Sequence, residues 1–360
     1  MKTLLCAIAL LGMLALPMIA EDVKLDFAGS RLAAGYIDNG KGAANPGTFA
    51  VPDAKVKVTA KVDADTTAVI RLNYDNGVAN GADFAYIKMD NFINKLANTN
   101  SPVNPEITVG KFKTPFGEET QSNNPVEGAL VSNSQANPTG NDAGILFKQD
   151  DLVKNLPMML CASFALLNGN GAADNNNTKA HMEKVSATFK DMPLYISLSN
   201  YGTGHNGTAV APALSIDGNR AVGAGTWYSK VVELDVRYDM TEGKAFDPTK
   251  APLFSDAKGV FRLAIGQGVT GQATTAARTE YNYVALDGIY NVDGKWYAAF
   301  RYSYVDYDGD KFTRISIGGG HKMSENTILK AEYTQNSEPD TTTIPEVDNN
   351  QVSILWTTKW

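Results

Sequence analysis

Apolar and polar residues alternate with period two along most of this chain, and that rhythm restricts its fold more than any single motif does. Ala54, Val56, Val58, Ala60 and Val62 alternate with Lys55, Lys57, Thr59 and Lys61. Val232, Leu234, Val236 and Tyr238 stand against Glu233, Asp235, Arg237 and Asp239. Trp296, Ala298, Phe300, Tyr302 and Tyr304 oppose Lys295, Arg301 and Ser303, and Leu329, Ala331 and Tyr333 oppose Lys330, Glu332 and Thr334. Successive side chains of a strand point to opposite faces, so each segment becomes a ribbon with one apolar and one wet side. About 16 such segments can be placed, from 23–36 to 350–360. Those near 82–90 and 142–149 alternate poorly and take their assignment from their neighbours. Two architectures use such ribbons: a water-soluble sandwich that turns the apolar sides inward, and a membrane barrel that turns them outward.

The connections favour the barrel. Residues 63–65, 191–193, 291–294 and 323–326 make short turns, whereas 37–52, 114–141, 168–181, 202–225 and 336–349 are long and rich in Asn, Gly, Thr and Asp. Short and long connections alternate, as in a barrel with tight turns at one end and loops at the other. Residues 91–105 and 239–258 are too long for the turn end, which leaves the strand count between 14 and 18. The segment Val352–Trp360 alternates and finishes on an aromatic ring. In a barrel the final strand zips against the first, and such a ring sits well at a lipid–water boundary.

Residues 1–20 carry one Lys, an apolar run from Leu4, then Pro17 and Ala20 before Glu21, the anatomy of a secretory signal peptide cleaved after Ala20. The expected organisation is a signal peptide over 1–20 and one barrel domain over 21–360. No run of eighteen apolar residues follows residue 20, so no membrane helix is expected. Loss of Lys2 with the leader takes the formal charge from −7 to −8, which excludes a nucleic-acid partner dependent on dense Lys and Arg. Loss of Cys6 leaves Cys161 alone, so the exported chain has no internal disulfide and depends on its backbone ladder. Cys161 lies in an apolar strand and reads as a buried or lipid-facing small hydrophobe.

One motif goes further. Residues 107–117 read Ile-Thr-Val-Gly-Lys-Phe-Lys-Thr-Pro-Phe-Gly. Pro115 cannot donate to a ladder and belongs at a strand end, Gly110 and Gly117 permit bends, and Lys111 and Lys113 stand two residues apart on one face. This stretch resembles the Gly-x-Phe-Lys-Thr-Pro-Phe-Gly segment of the phosphate-selective porin family, the porin O and P type. Weaker likenesses are Leu25–Arg31 and Leu167–Gly171, so the resemblance covers about a third of the chain in patches. It implies an outer-membrane homotrimer of roughly 16-stranded all-β barrels, each with a third external loop folded into the pore. It also implies partners limited to membrane lipid, lipopolysaccharide, ions and small solutes, with no cofactor.

The chain departs from that family in charge. Phosphate selectivity there depends on a cationic eyelet and an arginine ladder, but residues 114–141 here contain no Lys or Arg and carry Glu118, Glu119 and Glu127. Lys55, Lys57, Arg71, Arg262, Arg301 and Arg314 all lie opposite apolar residues and would form a basic wall facing that acidic loop. With Lys111 and Lys113 below the constriction, these residues predict a transverse field and a weakly selective channel. An anion- or phosphate-selective channel and a non-conducting surface or adhesive barrel are the alternatives. An enzyme built on a barrel would need a nucleophile–base pair, and His181, His205 and His321 are isolated and near loops. No His, Cys and carboxylate spacing marks a metal site. Asp306-Tyr307-Asp308-Gly309-Asp310 superficially resembles a calcium loop but reads better as a hairpin turn.

Overall fold

The computed structural model describes residues 24–38, 47–75, 81–118, 124–134, 136, 138, 140–169, 179–203, 227–241, 250–272, 278–337 and 350–360. The expected leader 1–20, Glu119 and His205 lie outside the described residues. Among the described residues, seventeen strands form one antiparallel sheet. A three-residue stub, β1 (Lys24–Asp26), pairs with β3 (Gly47–Lys61). The first barrel strand is β2 (Arg31–Asp38), and β4 (Thr66–Asn73), β5 (Gly81–Met89), β6 (Glu106–Lys113), β7 (Asn141–Gln149) and β8 (Met158–Leu167) follow β3 round the wall. Then come β9 (Ala180–Phe189), β10 (Leu194–Thr203), β11 (Trp227–Met240), β12 (Gly259–Gln272) and β13 (Arg278–Asn291). The circuit ends with β14 (Trp296–Tyr307), β15 (Asp310–Lys322), β16 (Thr327–Ser337) and β17 (Gln351–Lys359).

Each strand from β2 onward pairs with the next, and β17 pairs with β2 from Val352↔Asp38 to Lys359↔Arg31. Leaving aside the stub, sixteen strands therefore form a closed barrel. Trp360 extends the seam: its N–H donates to the Ser30 carbonyl at 3.1 Å, and its own carbonyl accepts from Gly29 N–H at 2.6 Å. Closure removes the open edge, whose unsatisfied backbone groups would each cost several kcal/mol in hydrocarbon.

The alternation decides which way each ribbon faces. On β14, Trp296, Ala298, Phe300 and Tyr302 are exposed while Tyr297, Ala299, Arg301 and Ser303 are buried. Ile317, Leu329, Ile354 and Trp356 also lie on the outer belt, and Arg237, Glu233, Lys330 and Glu332 are buried inside. Buried charges with exposed isoleucines invert the order of a water-soluble core. The apolar sides face outward, and the sandwich is excluded.

The connections sort as expected, and the two long exceptions have structural causes. Residues 91–105 fold into a short helix, α1 (Phe92–Ala97), bounded by Asn91 and Asn98 in left-handed backbone. It packs onto the β3–β4 turn through Lys95–Asp65 at 2.6 Å and an Asn91 Nδ2 donation to Asp65 at 2.7 Å. The described part of the connection between β11 and β12, residues 250–258, turns into the barrel. Asp308 and Gly309, at φ 50° and 98°, make the tight turn between β14 and β15, the mirror-image geometry that hairpins favour.

Candidate functional site

The third loop, between β6 and β7, folds back into the barrel. Gly117 makes the bend with φ +63°, left-handed backbone that favours glycine, and a Cβ there would come within 2.0 Å of Glu233 Oε1 and push that carboxylate aside. Gly117 N–H donates to Ser199 Oγ at 3.1 Å, and Glu118 N–H to Asp235 Oδ1 at 3.1 Å. Lys184 Nζ donates to the Gly117 carbonyl at 2.7 Å. Phe116 and Ala136 sink into an apolar bed that includes Tyr201, Tyr283 and Phe312.

Further along, three loop carbonyls converge on one ammonium. Lys330 Nζ donates to Pro125 at 2.7 Å, Val126 at 3.1 Å and Gly128 at 2.5 Å. Tyr297 Oη donates to the Ala129 carbonyl at 3.0 Å. Glu332 accepts from the N–H groups of Val131 and Ser132 and from Ser132 Oγ. Arg301 Nη1 donates to the Ser132 carbonyl at 2.6 Å and Arg314 Nη1 to the Asn133 carbonyl at 3.0 Å. The loop is thus fastened to the wall from β9 to β16 by its backbone. A loop lacking cations of its own is held by the cations of the wall.

The acidic side chains expected in the constriction are tied as well. Glu118 is buried and accepts from Arg237 Nη1 at 3.2 Å. Burial pushes its carboxyl above the ordinary carboxylate range, with Arg237 pulling the other way. Arg237 also clasps Asp239 through two bonds of 2.8 and 2.9 Å. Glu127 accepts from Asn124 Nδ2 at 2.7 Å and stands 3.6 Å from Arg31 Nη1.

The expected basic wall is a lattice of opposite charges. Lys55 is buried and pairs with Asp75, with Asp53 at 3.7 Å, and Arg31 binds Asp53 at 2.5 Å. Lys57 shares the inward face of β3. Arg71 pairs with Asp83 at 2.6 Å and stacks 3.6 Å from the centre of the Phe84 ring. Asp287 lies between Arg262 at 2.6 Å and Arg301 at 2.5 Å. Arg314 Nε donates to Asn336 at 2.7 Å. The expectation of a basic wall is therefore corrected: the wall carries both signs, paired, while the charged side chains of the loop are acidic only.

Two further expectations change. Lys111 and Lys113 do not act from one face. Lys111 pairs with the exposed Ala85, and its neighbour on that face is Val109, so it lies on the outer surface with Nζ donating to the Ala82 carbonyl at 3.1 Å. Gly110, at φ +128°, allows this irregular end of β6, because a Cβ there would meet the Ala85 carbonyl at 2.3 Å. Lys113 instead lies within electrostatic reach of Arg31, Arg71, Asp83 and Glu127. Cys161 pairs with Ser186 on the inner face, not the lipid face, because the exposed Phe164 and Leu166 have the opposite parity.

Sequence reasoning missed Arg237, Asp239, Asp287, Lys330 and Glu332 as site residues. Their signal was present, since four of them occupy wet positions of strands with clean alternation. What was missing was the path of the loop, which selects among wet positions.

Residues 105–341 match the family model described as Gram-negative porin. Among solved structures, the outer-membrane channel DcaP of Acinetobacter baumannii aligns with TM-score 0.62 at 12% identity, covering 94% of this chain and 97% of that one. OmpT of Vibrio cholerae, in a trimer form, aligns with TM-score 0.60 at 10% identity over 94% and 99%. An anion-selective porin from Comamonas acidovorans aligns with TM-score 0.57 at 13% identity over 94% and 99%. No curated protein matches.

Proposed function

Since the chain belongs to the Gram-negative porins, we propose that its water-filled lumen passes ions and small hydrophilic solutes down their gradients with weak selectivity. The barrel sits in the bacterial outer membrane, its apolar belt against lipid. The observation that carries weak selectivity is the pairing of the lumen charges. Arg262 and Arg301 share Asp287, Arg71 faces Asp83, Lys55 faces Asp75, and Glu118 faces Arg237. Paired charges a few ångströms apart present little net field to a passing ion, whereas a strongly anion-selective filter needs unopposed cations.

This reading carries no turnover chemistry. Residues 1–20 act as its export signal, the barrels assemble as homotrimers, and Lys111 on the outer surface offers a cation to lipopolysaccharide. The test is the reversal potential of the purified protein in planar bilayers under a salt gradient. A small value of either sign is expected. A strong anion preference that inorganic phosphate blocks would overturn it.

A further inference from the structure

The connection between β11 and β12 belongs to the turn end, where neighbouring hairpins need only a few residues. Its described part, residues 250–258, instead runs inside the barrel. Leu253 is fully buried against Val260, Ile289, Tyr297 and Ile328, which all face inward, and against Leu130 of the third loop. Pro252–Phe254 forms a single turn of 3-10 helix. The Lys359 ammonium stands 3.1 Å from the centre of the Phe254 ring, and Lys359 lies on β17, five strands round the wall from β12. An element that touches both β12 and β17 from within spans part of the mouth.

Three bonds made by wall or segment side chains fix it there. Ser255 Oγ donates to Asp239 Oδ2 at 2.7 Å, Arg237 Nη1 to the Lys250 carbonyl at 2.9 Å, and Asn291 Nδ2 to the Ala257 carbonyl at 2.6 Å. Arg237 thus holds Glu118 of the third loop and the start of this segment with one guanidinium. The segment also carries exposed charges, Lys250 and Asp256, paired at 3.0 Å.

We propose that residues 250–258 form a second constriction at the periplasmic mouth, in series with the third loop, and that the pairing of Lys250 with Asp256 keeps it nearly neutral to a passing ion. The proposal rests on the channel reading above. Resistances in series add, so removing one constriction raises conductance even while the other stays.

The experiment uses the full chain in planar bilayers with two variants. In the first, residues 251–257 are replaced by two glycines; in the second, Asp256→Lys reverses one charge. The shortened chain is expected to conduct about twofold more than wild type. Asp256→Lys is expected to shift the reversal potential toward anions even near 1 M salt, where screening confines a charge to about 3 Å. Unchanged conductance in a shortened barrel that keeps its heat-modifiable migration overturns the proposal, whatever the charge variant does. If the shortened chain fails to fold, Asp256→Lys decides alone, and an unmoved reversal potential overturns it. Wild-type protein that opens no channels would sink the channel reading and this constriction together, whereas conducting wild type with unaltered variants sinks the constriction only.

Discussion

Asp287 is where a single carboxylate does most to neutralise the wall, because it is buried between two guanidinium groups. Asp287→Asn keeps the shape and removes the charge, leaving Arg262 and Arg301 facing the lumen together. Breaking a buried pair while its partners stay costs about 3–5 kcal/mol in a dry core, and lumen water pulls this toward the low end. The expected outcome is a barrel that still migrates as folded, with its reversal potential moved toward anions. At the turn end, Asp293 behaves differently. It accepts the N–H groups of Trp296 at 2.8 Å and Lys295 at 3.0 Å, and these bonds hold its carboxyl below the ordinary value of 3.8. A lowered carboxylate pKa stabilises the turn at pH above the ordinary value, and that contribution is lost as pH falls through the lowered one. Protection of the Lys295 and Trp296 amides, their exchange rate relative to an unstructured chain at the same pH, should therefore hold at neutral pH and fall in acid below the ordinary carboxylate value of 3.8. Asp293→Ala should lack that protection at both.

At the scale of the element, the third loop behaves as a strap bound by its backbone. Its sequence carries few residues that would fix a conformation alone, so its path depends on donors and acceptors of the wall. Lys330 is the strongest of these, with three carbonyls on one buried ammonium, each bond to a charged group being worth about 1.5–3 kcal/mol. Lys330→Met keeps the aliphatic stem and removes all three. Single-channel recordings should then show larger, noisier openings, with heat-modifiable migration retained because the barrel ladder is untouched. Steady openings of wild-type size would mean that Glu332, Arg301 and Tyr297 hold the loop without it. The same element explains what the sequence withheld. The motif at 107–117 marks where the loop begins, and Gly117 marks its bend. That Glu118 would meet Arg237, 119 residues away, was invisible, because no local rule ties a loop carboxylate to one wet position among many. Lys111 was misplaced for a related reason: strict alternation fails where a positive-φ glycine interrupts a strand end.

For the whole molecule, stability rests on closure. β17 pairs with β16 on one side and β2 on the other, so removing residues 351–360 would break both ladders and expose two edges. The truncated chain should lose the shifted migration of unboiled protein and aggregate in detergent. Trp360→Ala should fold, since the Trp360 contacts with Ser30 and Gly29 are made by backbone atoms. The strand pattern, the outward apolar belt and the sense of the connections were legible in the chain itself. A period of two is a local property, and in lipid only a closed sheet satisfies every backbone group. Charge in the lumen was not legible. Alternation indicated which lysines, arginines and carboxylates face inward, but the field felt by an ion depends on distances of a few ångströms between residues far apart in sequence. Register, the inward path of the third loop and the fold-in at 250–258 set those distances. The tertiary structure therefore turned an expected basic wall and acidic loop into a lattice of ion pairs.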